Sequence, residues 1–211
     1  MKKVLLIGDS IRRGYDVQVA QRLASVAQVC FPKVNCALSQ NVLRYLHEWA
    51  AELQLGENLD CIHWNAGLWD TLRLFGDDVM TPLAFYEDNI RRICMRIRYL
   101  FPNAKAIFAT STPVLEDQFG KDAKRLNCDI EAYNAAAVRI VTDFGFEIND
   151  LYALMKDTPR EYHSDMTHFY TPEATALLTE TVSSAICDAM GILLPDKMEI
   201  SLQNDGPVIG I

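Results

Sequence analysis

Three polar residues, one near the start of the chain and two near its end, are of the types that acyl-transfer chemistry requires. Ser10 follows a short apolar run and Gly8-Asp9, and Asp165 precedes His168 by three positions. In a tight turn this spacing places a carboxylate against Nδ1 of the imidazole, which fixes the tautomer and leaves Nε2 free to accept a proton. We therefore interpret Ser10 as a candidate nucleophile, His168 as its base and Asp165 as the group that orients the base.

Each of these residues also has a purely structural interpretation. Serine is a preferred N-cap, so Ser10 could simply begin a helix, and acidic loops near helix starts contain Asp and His by chance. Two other histidines are weaker candidates: His47 is expected at the surface or boundary of a helix, and His63, inside a strand, is expected in the core.

The apolar pattern predicts five short strands that alternate with helices. Strands are predicted over residues 3–7, 26–31, 61–64, 104–109 and 146–148. Helices are predicted over residues 15–25, 40–54 (with Ser39 as N-cap), 82–100, 130–144, 151–156 and 172–190, and polar loops over 116–127 and 159–169. Such alternation implies right-handed crossovers, so we expect a three-layer α/β/α sandwich around a five-stranded parallel sheet.

Ligands of an open parallel sheet bind beyond the carboxyl ends of the strands, so the residues that follow each strand are the ones to read. Asn65 directly follows the third predicted strand. Its side-chain N–H can point into the site and stabilise a developing oxyanion. A turn-forming role for Asn65 in Asn-Ala-Gly is the alternative.

These blocks together resemble the SGNH (GDSL-type) hydrolase family over most of residues 1–190. The resemblance lies in Ile7-Gly8-Asp9-Ser10-Ile11, Trp64-Asn65-Ala66-Gly67-Leu68-Trp69-Asp70 and Ser164-Asp165-Met166-Thr167-His168. It implies a flavodoxin-like sheet and a serine esterase with Ser10, Asp165 and His168 as its triad. The oxyanion hole would be formed by Asn65 and the backbone N–H of Ser10, and no metal or organic cofactor would be needed.

One block departs from the family pattern. The family's second block supplies a glycine whose N–H is a third oxyanion donor, and the matching stretch here is Asn35-Cys36-Ala37-Leu38-Ser39, in which Ala37 fits best. Any residue except proline can donate its N–H, provided that φ is not forced positive. Ala37 is therefore the expected third donor, and the departure is the only support for a catalytically silent carbohydrate-binding protein.

The expected substrate is a small-molecule ester with a short, acetyl-like acyl group on a carbohydrate. Candidate substrate-binding residues are Asp9, Tyr15 and Trp69, which together with Trp64 and the polar loop 116–127 could frame a shallow, wet pocket. For Trp64, packing in the core is an equally good interpretation. A thioesterase or lysophospholipase with the same triad stays open, because the same machinery serves all three.

Other site classes fit poorly. A metal site of His163, Asp165 and His168 lacks helical i, i+4 spacing and a supporting Cys or Glu cluster. A nucleotide-binding domain would need G-x-G-x-x-G or a P-loop, and an α/β-hydrolase would need G-x-S-x-G; the chain has none of these.

The composition of the 211-residue chain argues against several partners. Half of the residues are hydrophobic and 23% are charged, as in ordinary globular proteins. The 20 Lys and Arg against 28 Asp and Glu give a formal net charge of −8, a poor match for nucleic acid or an anionic membrane. No apolar stretch approaches the ~18 residues of a membrane span, and the run at 4–7 is shorter than the apolar segment of a signal peptide.

The cysteines and the C-terminal segment complete the expectations. Six scattered cysteines without a C-x-x-C pair are expected to be buried free thiols, which together with the missing signal favours a reducing cytoplasm. Residues 1–194 are expected to form one domain and residues 195–211 a tail, with a peripheral strand at 199–202. The apolar end at 206–211 fits either a homo-oligomer contact or a frayed terminus.

Overall fold

Five parallel strands form the main sheet of the structure, a computed structural model that describes residues 1–196. With two further strands outside this sheet, the strands of the described residues in chain order are β1 (Lys2–Ile7), β2 (Ala27–Cys30), β3 (Cys61–Trp64), β4 (Arg73–Leu74), β5 (Lys105–Ala109), β6 (Ala123–Lys124) and β7 (Glu147–Asn149). The sheet has the order β2-β1-β3-β5-β7 with every neighbouring pair parallel, whereas β4 and β6 form a separate antiparallel pair. The carboxyl ends of β1 and β3 therefore open side by side.

Helices cover both faces of this sheet. Those in the described residues are α1 (Ser10–Arg13), α2 (Asp16–Arg22), α3 (Ser39–Glu52), α4 (Leu83–Leu100), α5 (Asn127–Asp143), α6 (Leu151–Met155) and α7 (Pro172–Met190). The apolar sides of α3, α4 and α5 pack on one face, and those of α1, α2 and α7 pack on the other. This arrangement confirms the predicted three-layer fold.

The sequence of β1 shows why its residues form an inner strand. Leu5 and Ile7 point into the core beneath α3 and α4, whereas Val4 and Leu6 point into the core beneath α2 and α7. A strand that is covered on both faces is apolar throughout rather than alternating. The continuous run before Gly8 is therefore a consequence of the two-sided core.

The start of the first helical region differs from the prediction. Two short helices, α1 and α2, replace the single helix predicted over 15–25, with Gly14 and Tyr15 between them. Ser39 is the first residue of α3 rather than its cap, because Leu38 holds the N-cap position and the Ser39 hydroxyl donates to Asp70 instead. The N-cap prediction for Ser39 was wrong.

The predicted polar loop at 116–127 contains regular structure. A 3₁₀ turn spans Glu116–Gln118, β6 pairs with β4, and α5 begins at Asn127 rather than at Ile130. The Asn127 side chain accepts from the N–H of Val114 and donates to its carbonyl, both at 2.9 Å. Strands of two residues show no periodicity of their own, so the sequence analysis missed them.

The C-terminal segment is described only to Asp196. The Arg22 guanidinium donates to the carbonyl of Pro195 at 2.5 Å, which ties the chain after α7 to α2. The predicted strand at 199–202 and the apolar residues 206–211 lie outside the described residues. Across residues 1–196, none of the helices has both the length and the apolar character that a membrane span needs.

The six cysteines are all free thiols, and their burial differs. Cys36, Cys61, Cys94 and Cys187 are buried and Cys30 is partly buried. Cys128 lies on the exposed side of the first turn of α5, so the expectation of a buried thiol was wrong there.

Candidate active site

Ser10, His168 and Asp165 lie in one hydrogen-bonded line at the carboxyl edge of the sheet. His168 Nε2 is 2.8 Å from Ser10 Oγ, and His168 Nδ1 is 2.7 Å from Asp165 Oδ2. With Nδ1–H donating to the carboxylate, Nε2 is the ring nitrogen left to accept a hydrogen bond from the Ser10 hydroxyl. The geometry is that of a nucleophile, a base and an orienting carboxylate.

The turn after β1 presents Ser10. The Asp9 side chain caps α1 by accepting from the N–H of Ile11 at 2.9 Å. Asp9 is therefore the N-cap, and the alternative that Ser10 holds this position is wrong. Ser10 is instead the first residue of α1, where helix N–H groups stabilise negative charge.

The loop before α7 holds the imidazole. Asp165 Oδ1 accepts from the N–H groups of Thr167 and His168, at 2.7 and 2.8 Å, while its Oδ2 accepts from the ring. Burial raises the pKa of Asp165, but these hydrogen bonds outweigh it and lower the pKa below its usual value. Asp165 thus remains an anion that orients His168.

Asn65 follows β3 and packs directly against the turn that presents Ser10. Its N–H donates to the carbonyl of Ile7 at 3.0 Å, and its side chain is buried. A Cβ built on Gly8 would lie 2.2 Å from Asn65 Oδ1, so only a glycine fits there. Asn65 Oδ1 has no hydrogen-bond partner within residues 1–196. The Asn65 carboxamide therefore lies against Gly8, two residues before Ser10.

Ala37 does not meet the condition set for an oxyanion donor. Its φ is +50°, and its N–H donates to Asn35 Oδ1 at 2.9 Å. The sequence analysis made a donor role for Ala37 conditional on a φ that is not positive, and that condition is not met. The segment is held in place because the N–H of Cys36 donates to the carbonyl of Gly8 at 3.2 Å. As a third donor, Ala37 would have to share its N–H with Asn35.

The three candidate substrate-binding residues have different exposures. Tyr15 is 2% exposed and packs in the core beneath α2 and α7, and Asp9 is 1% exposed. Neither residue offers a surface to an ester, so the structure does not support these two predictions. Trp69 is half-buried. The guanidinium carbon of Arg125 lies over the Trp69 ring, 5.9 Å from the ring centroid. Trp64 is fully buried against Phe108, which favours its core interpretation.

The burial of Asp9 also changes the pKa of its carboxyl group. Burial raises the pKa of its carboxyl, and the Ile11 N–H and the positive charges nearby, Arg125 first among them, oppose that rise. Its Oδ2 has no hydrogen-bond partner in the described chain. Asp9 therefore serves the helix start beneath the site rather than its surface.

Two buried contacts of the site were missed by the sequence analysis. Arg125, from the loop between β6 and α5, donates from Nε to the carbonyl of Leu68 at 2.6 Å and from Nη1 to Thr167 Oγ1 at 3.4 Å. It joins the loop after Asn65 to the loop of His168. Burial lowers the pKa of Arg125 to about 10, against the pull of Asp9 and Asp165. An arginine in a polar loop carries no sequence signal for such a role.

Asp70 ties the loop after β3 to the start of α3. It accepts from the Ser39 N–H at 2.9 Å and from the Ser39 hydroxyl at 2.6 Å. The carboxylate is fully buried. The final residue of the block around Asn65 thus has a structural partner that lies 31 positions earlier in the chain.

The remaining histidines have other surroundings. His63 is buried in β3 with Nε2 3.1 Å from Asn149 Nδ2, and burial lowers its pKa to about 4. His47 is exposed on α3. His163 packs against Phe169, with ring centroids 3.9 Å apart. Within residues 1–196, no group of three His, Cys, Asp or Glu side chains is placed to hold a metal ion.

The chain is similar to several known proteins over nearly its whole length. No family model matches it. It is 28% identical to the isoamyl acetate-hydrolyzing esterase 1 homolog of Rattus norvegicus, over 97% of this chain and 93% of the relative. Solved structures that share its fold include the following two. One is a GDSL-like lipase from Bacteroides thetaiotaomicron, with a TM-score of 0.69, 18% identity and 89% of each chain covered.

The second solved structure is an acetyl xylan esterase from Geobacillus stearothermophilus, with a TM-score of 0.68 and 14% identity. The alignment covers 93% of this chain and 97% of that one. At such identities the two structures bear on the fold, and they confirm the α/β/α architecture inferred from the sequence.

Proposed function

We propose that this chain is an ester hydrolase of the SGNH (GDSL) type and that it cleaves short-chain acyl esters through Ser10, His168 and Asp165. The observation that carries the proposal is the unbroken line of hydrogen bonds from Ser10 Oγ through the imidazole to the Asp165 carboxylate, at 2.8 and 2.7 Å. This line assembles a nucleophile with its base at the edge of the sheet where ligands of parallel folds bind.

The mechanism follows from the roles of these groups. His168 Nε2 takes the proton of Ser10 as its oxygen attacks the carbonyl carbon of the ester. The imidazolium that forms is stabilised by Asp165 and then gives its proton to the leaving alcohol. A water molecule that loses a proton to the same imidazole attacks the acyl-enzyme, which releases the acid and restores Ser10.

The oxyanion of the tetrahedral intermediate requires donors on the side of Asn65. The Asn65 amide and the Ser10 backbone N–H are the proposed donors, and one such donor is worth roughly 3–4 kcal/mol of transition-state stabilisation. Ala37 N–H can join them only as a shared donor, because Asn35 Oδ1 already accepts from it at 2.9 Å.

A serine knockout tests the mechanism. Ser10→Ala should abolish turnover of p-nitrophenyl acetate without changing the thermal melt, whereas the exposed Ser25→Ala should retain full turnover. A fluorophosphonate probe should label the wild-type protein and Ser25→Ala but not Ser10→Ala. Turnover by Ser10→Ala would overturn the mechanism, and an unlabelled, inactive wild-type protein would favour a silent binding protein.

For the substrate we propose an acetyl ester, carried by a carbohydrate. The names of two similar proteins support the acetyl group, since one is named a homolog of an isoamyl acetate-hydrolyzing esterase and another is an acetyl xylan esterase. The half-buried Trp69 supports the carbohydrate, because an aromatic face beside polar groups suits a sugar ring.

A series of p-nitrophenyl esters tests the acyl chain length. The rate should be highest for acetate and fall with each longer acyl group. A maximum at octanoate or longer would instead favour a lysophospholipase. In a second series, acetylated xylan should be hydrolysed faster than isoamyl acetate and acetyl-CoA. A preference for isoamyl acetate would overturn the proposal that the ester is carried by a carbohydrate. A preference for acetyl-CoA would favour a thioesterase.

A further inference from the structure

Tyr170 contacts both the nucleophile and the base of the proposed mechanism. Its hydroxyl donates to the backbone carbonyl of Ser10 at 2.8 Å. Its ring is stacked on the imidazole of His168, with ring centroids 4.7 Å apart and planes 20° apart. One side chain therefore links the turn after β1 to the loop before α7, independently of the hydrogen bond from Ser10 Oγ to His168.

The site is built to receive this ring. A Cβ on Gly14 would lie 2.6 Å from Cε1 and 2.7 Å from Cδ1 of Tyr170, well inside contact distance. Gly14 has φ −75°, which any residue adopts. The position therefore requires a glycine because of the Tyr170 ring and not because of the backbone conformation. Burial raises the pKa of Tyr170 to about 12, so its hydroxyl keeps the proton that it donates to Ser10.

We propose that Tyr170 is a positioning residue of the esterase site, holding the Ser10 carbonyl with its hydroxyl and supporting His168 with its ring. The inference rests on the proposed function. The ring acts most strongly when His168 carries the proton of Ser10, because an aromatic face attracts a cation. The hydroxyl fixes the backbone from which Ser10 attacks.

Other charges also face these two rings and must stay constant in any test. Asp165 lies on the same loop as His168, and Asp9 and Arg13 come from the turn after β1 and from α1. Arg125, from the loop before α5, acts on the carboxylates of Asp9 and Asp165. Substitutions at position 170 or 14 leave all four in the protein. A change in the pH profile of such a variant is therefore attributable to the ring.

Two substitutions separate the hydroxyl from the ring. Tyr170→Phe keeps the stacked face and loses the bond to Ser10, so kcat for p-nitrophenyl acetate should fall about 5- to 10-fold. The acidic limb of its kcat/KM profile should remain where it is. Tyr170→Leu loses both contacts, so kcat should fall roughly 30- to 100-fold and the acidic limb should move about half a pH unit lower.

The direction of that shift follows from the charge. The ring favours the protonated imidazole, so without it the neutral, active form persists to lower pH. An acidic limb that stays at its wild-type pH in Tyr170→Phe and moves in Tyr170→Leu is a result that a merely structural role for Tyr170 would not produce.

A substitution outside Tyr170 provides the second test. Gly14→Ala should displace the intact Tyr170 ring and lower kcat by at least fivefold, whereas in the Tyr170→Leu background it should have no further effect. Gly56→Ala is the matched control, since a Cβ there meets nothing within 4 Å. Thermal melts of all variants identify any loss of fold.

The outcomes separate this inference from the proposed function. If Tyr170→Leu keeps kcat within threefold of the wild type, or loses activity with an unshifted acidic limb, Tyr170 has no positioning role. Should Gly14→Ala lower kcat equally with and without Tyr170, the same conclusion follows. Either result leaves the mechanism intact as long as Ser10→Ala is inactive; an active Ser10→Ala would overturn the mechanism itself.

Discussion

Under the proposed mechanism, Gly8→Ala should slow turnover strongly by moving a different residue, Asn65. The new Cβ would lie 2.2 Å from Asn65 Oδ1, which is 1.2 Å short of the 3.4 Å at which ordinary contact begins. It would also lie 2.7 Å from the Cβ of Arg12. The carboxamide is the freer of the two neighbours, because Arg12 is buried and its guanidinium donates to the carbonyl of Val34 at 2.7 Å. Asn65 therefore has to swing away from the turn.

The size of the effect follows from the donor that is lost. Removal of one oxyanion donor typically costs about 3–4 kcal/mol, or a 10²- to 10³-fold loss in kcat. A displacement of about 1 Å at a catalytic group costs roughly as much. We expect kcat of Gly8→Ala for p-nitrophenyl acetate to fall at least about 100-fold, with KM changed much less.

A double-mutant cycle shows whether the loss passes through Asn65. Asn65→Ala should have a similar kcat, and the double variant should be no more than about threefold slower than either single variant, since the same donor cannot be lost twice. Urea unfolding measures the strain against Arg12 separately, and Gly56→Ala controls for the added methyl group. Losses that multiply in the double variant, or a Gly8→Ala enzyme within threefold of the wild type, would refute the coupling of Gly8 to Asn65.

Three further predictions concern residues around the site and on the surface. Asp70→Ala leaves the buried donors of Ser39 unpaired, so urea unfolding should show a loss of about 2–4 kcal/mol; a loss below about 0.5 kcal/mol would contradict this. Asp165 has a lowered folded-state pKa, so its stabilisation is present above its unfolded pKa and is lost as the pH falls through the folded value. The difference in Tm between wild type and Asp165→Asn should therefore shrink between about pH 5 and pH 3, and a constant difference would contradict it. In the native protein, Ellman's reagent should react rapidly with one thiol, and Cys128→Ser should remove that reaction while leaving the fold unchanged.

The parts of the site that lie in short sequence blocks were predictable. Ser10 follows an apolar strand and a glycine turn, and the three-residue spacing from Asp165 to His168 allows a single turn to join carboxylate and ring. Both inferences depend on residues that are close in the chain, where hydrophobic periodicity and turn-forming residue types indicate the local structure. In the structure, the His168 ring lies within hydrogen-bond distance of both Ser10 and Asp165.

The parts that depend on contacts between distant segments were not predictable. The positive φ of Ala37 and the burial of Tyr15 follow from how the segments after β1 and β2 pack together. Arg125 reaches Leu68 across 57 positions of sequence. Nothing in the local pattern around an arginine or an alanine distinguishes these environments. Tyr170 is an intermediate case, because an aromatic residue two positions after a candidate base is a signal that can be searched for.

The hydrogen bond between Ser10 and His168 joins residues that are 158 positions apart. Closing so long a loop costs conformational entropy that is recovered only when the intervening strands have paired. The proposed esterase activity therefore cannot precede the docking of β3, β5 and the loop before α7 onto β1. During synthesis, the proposed nucleophile Ser10 is made early, and its proposed base His168 follows 158 positions later. In refolding experiments, the return of activity should therefore report the docking of these elements.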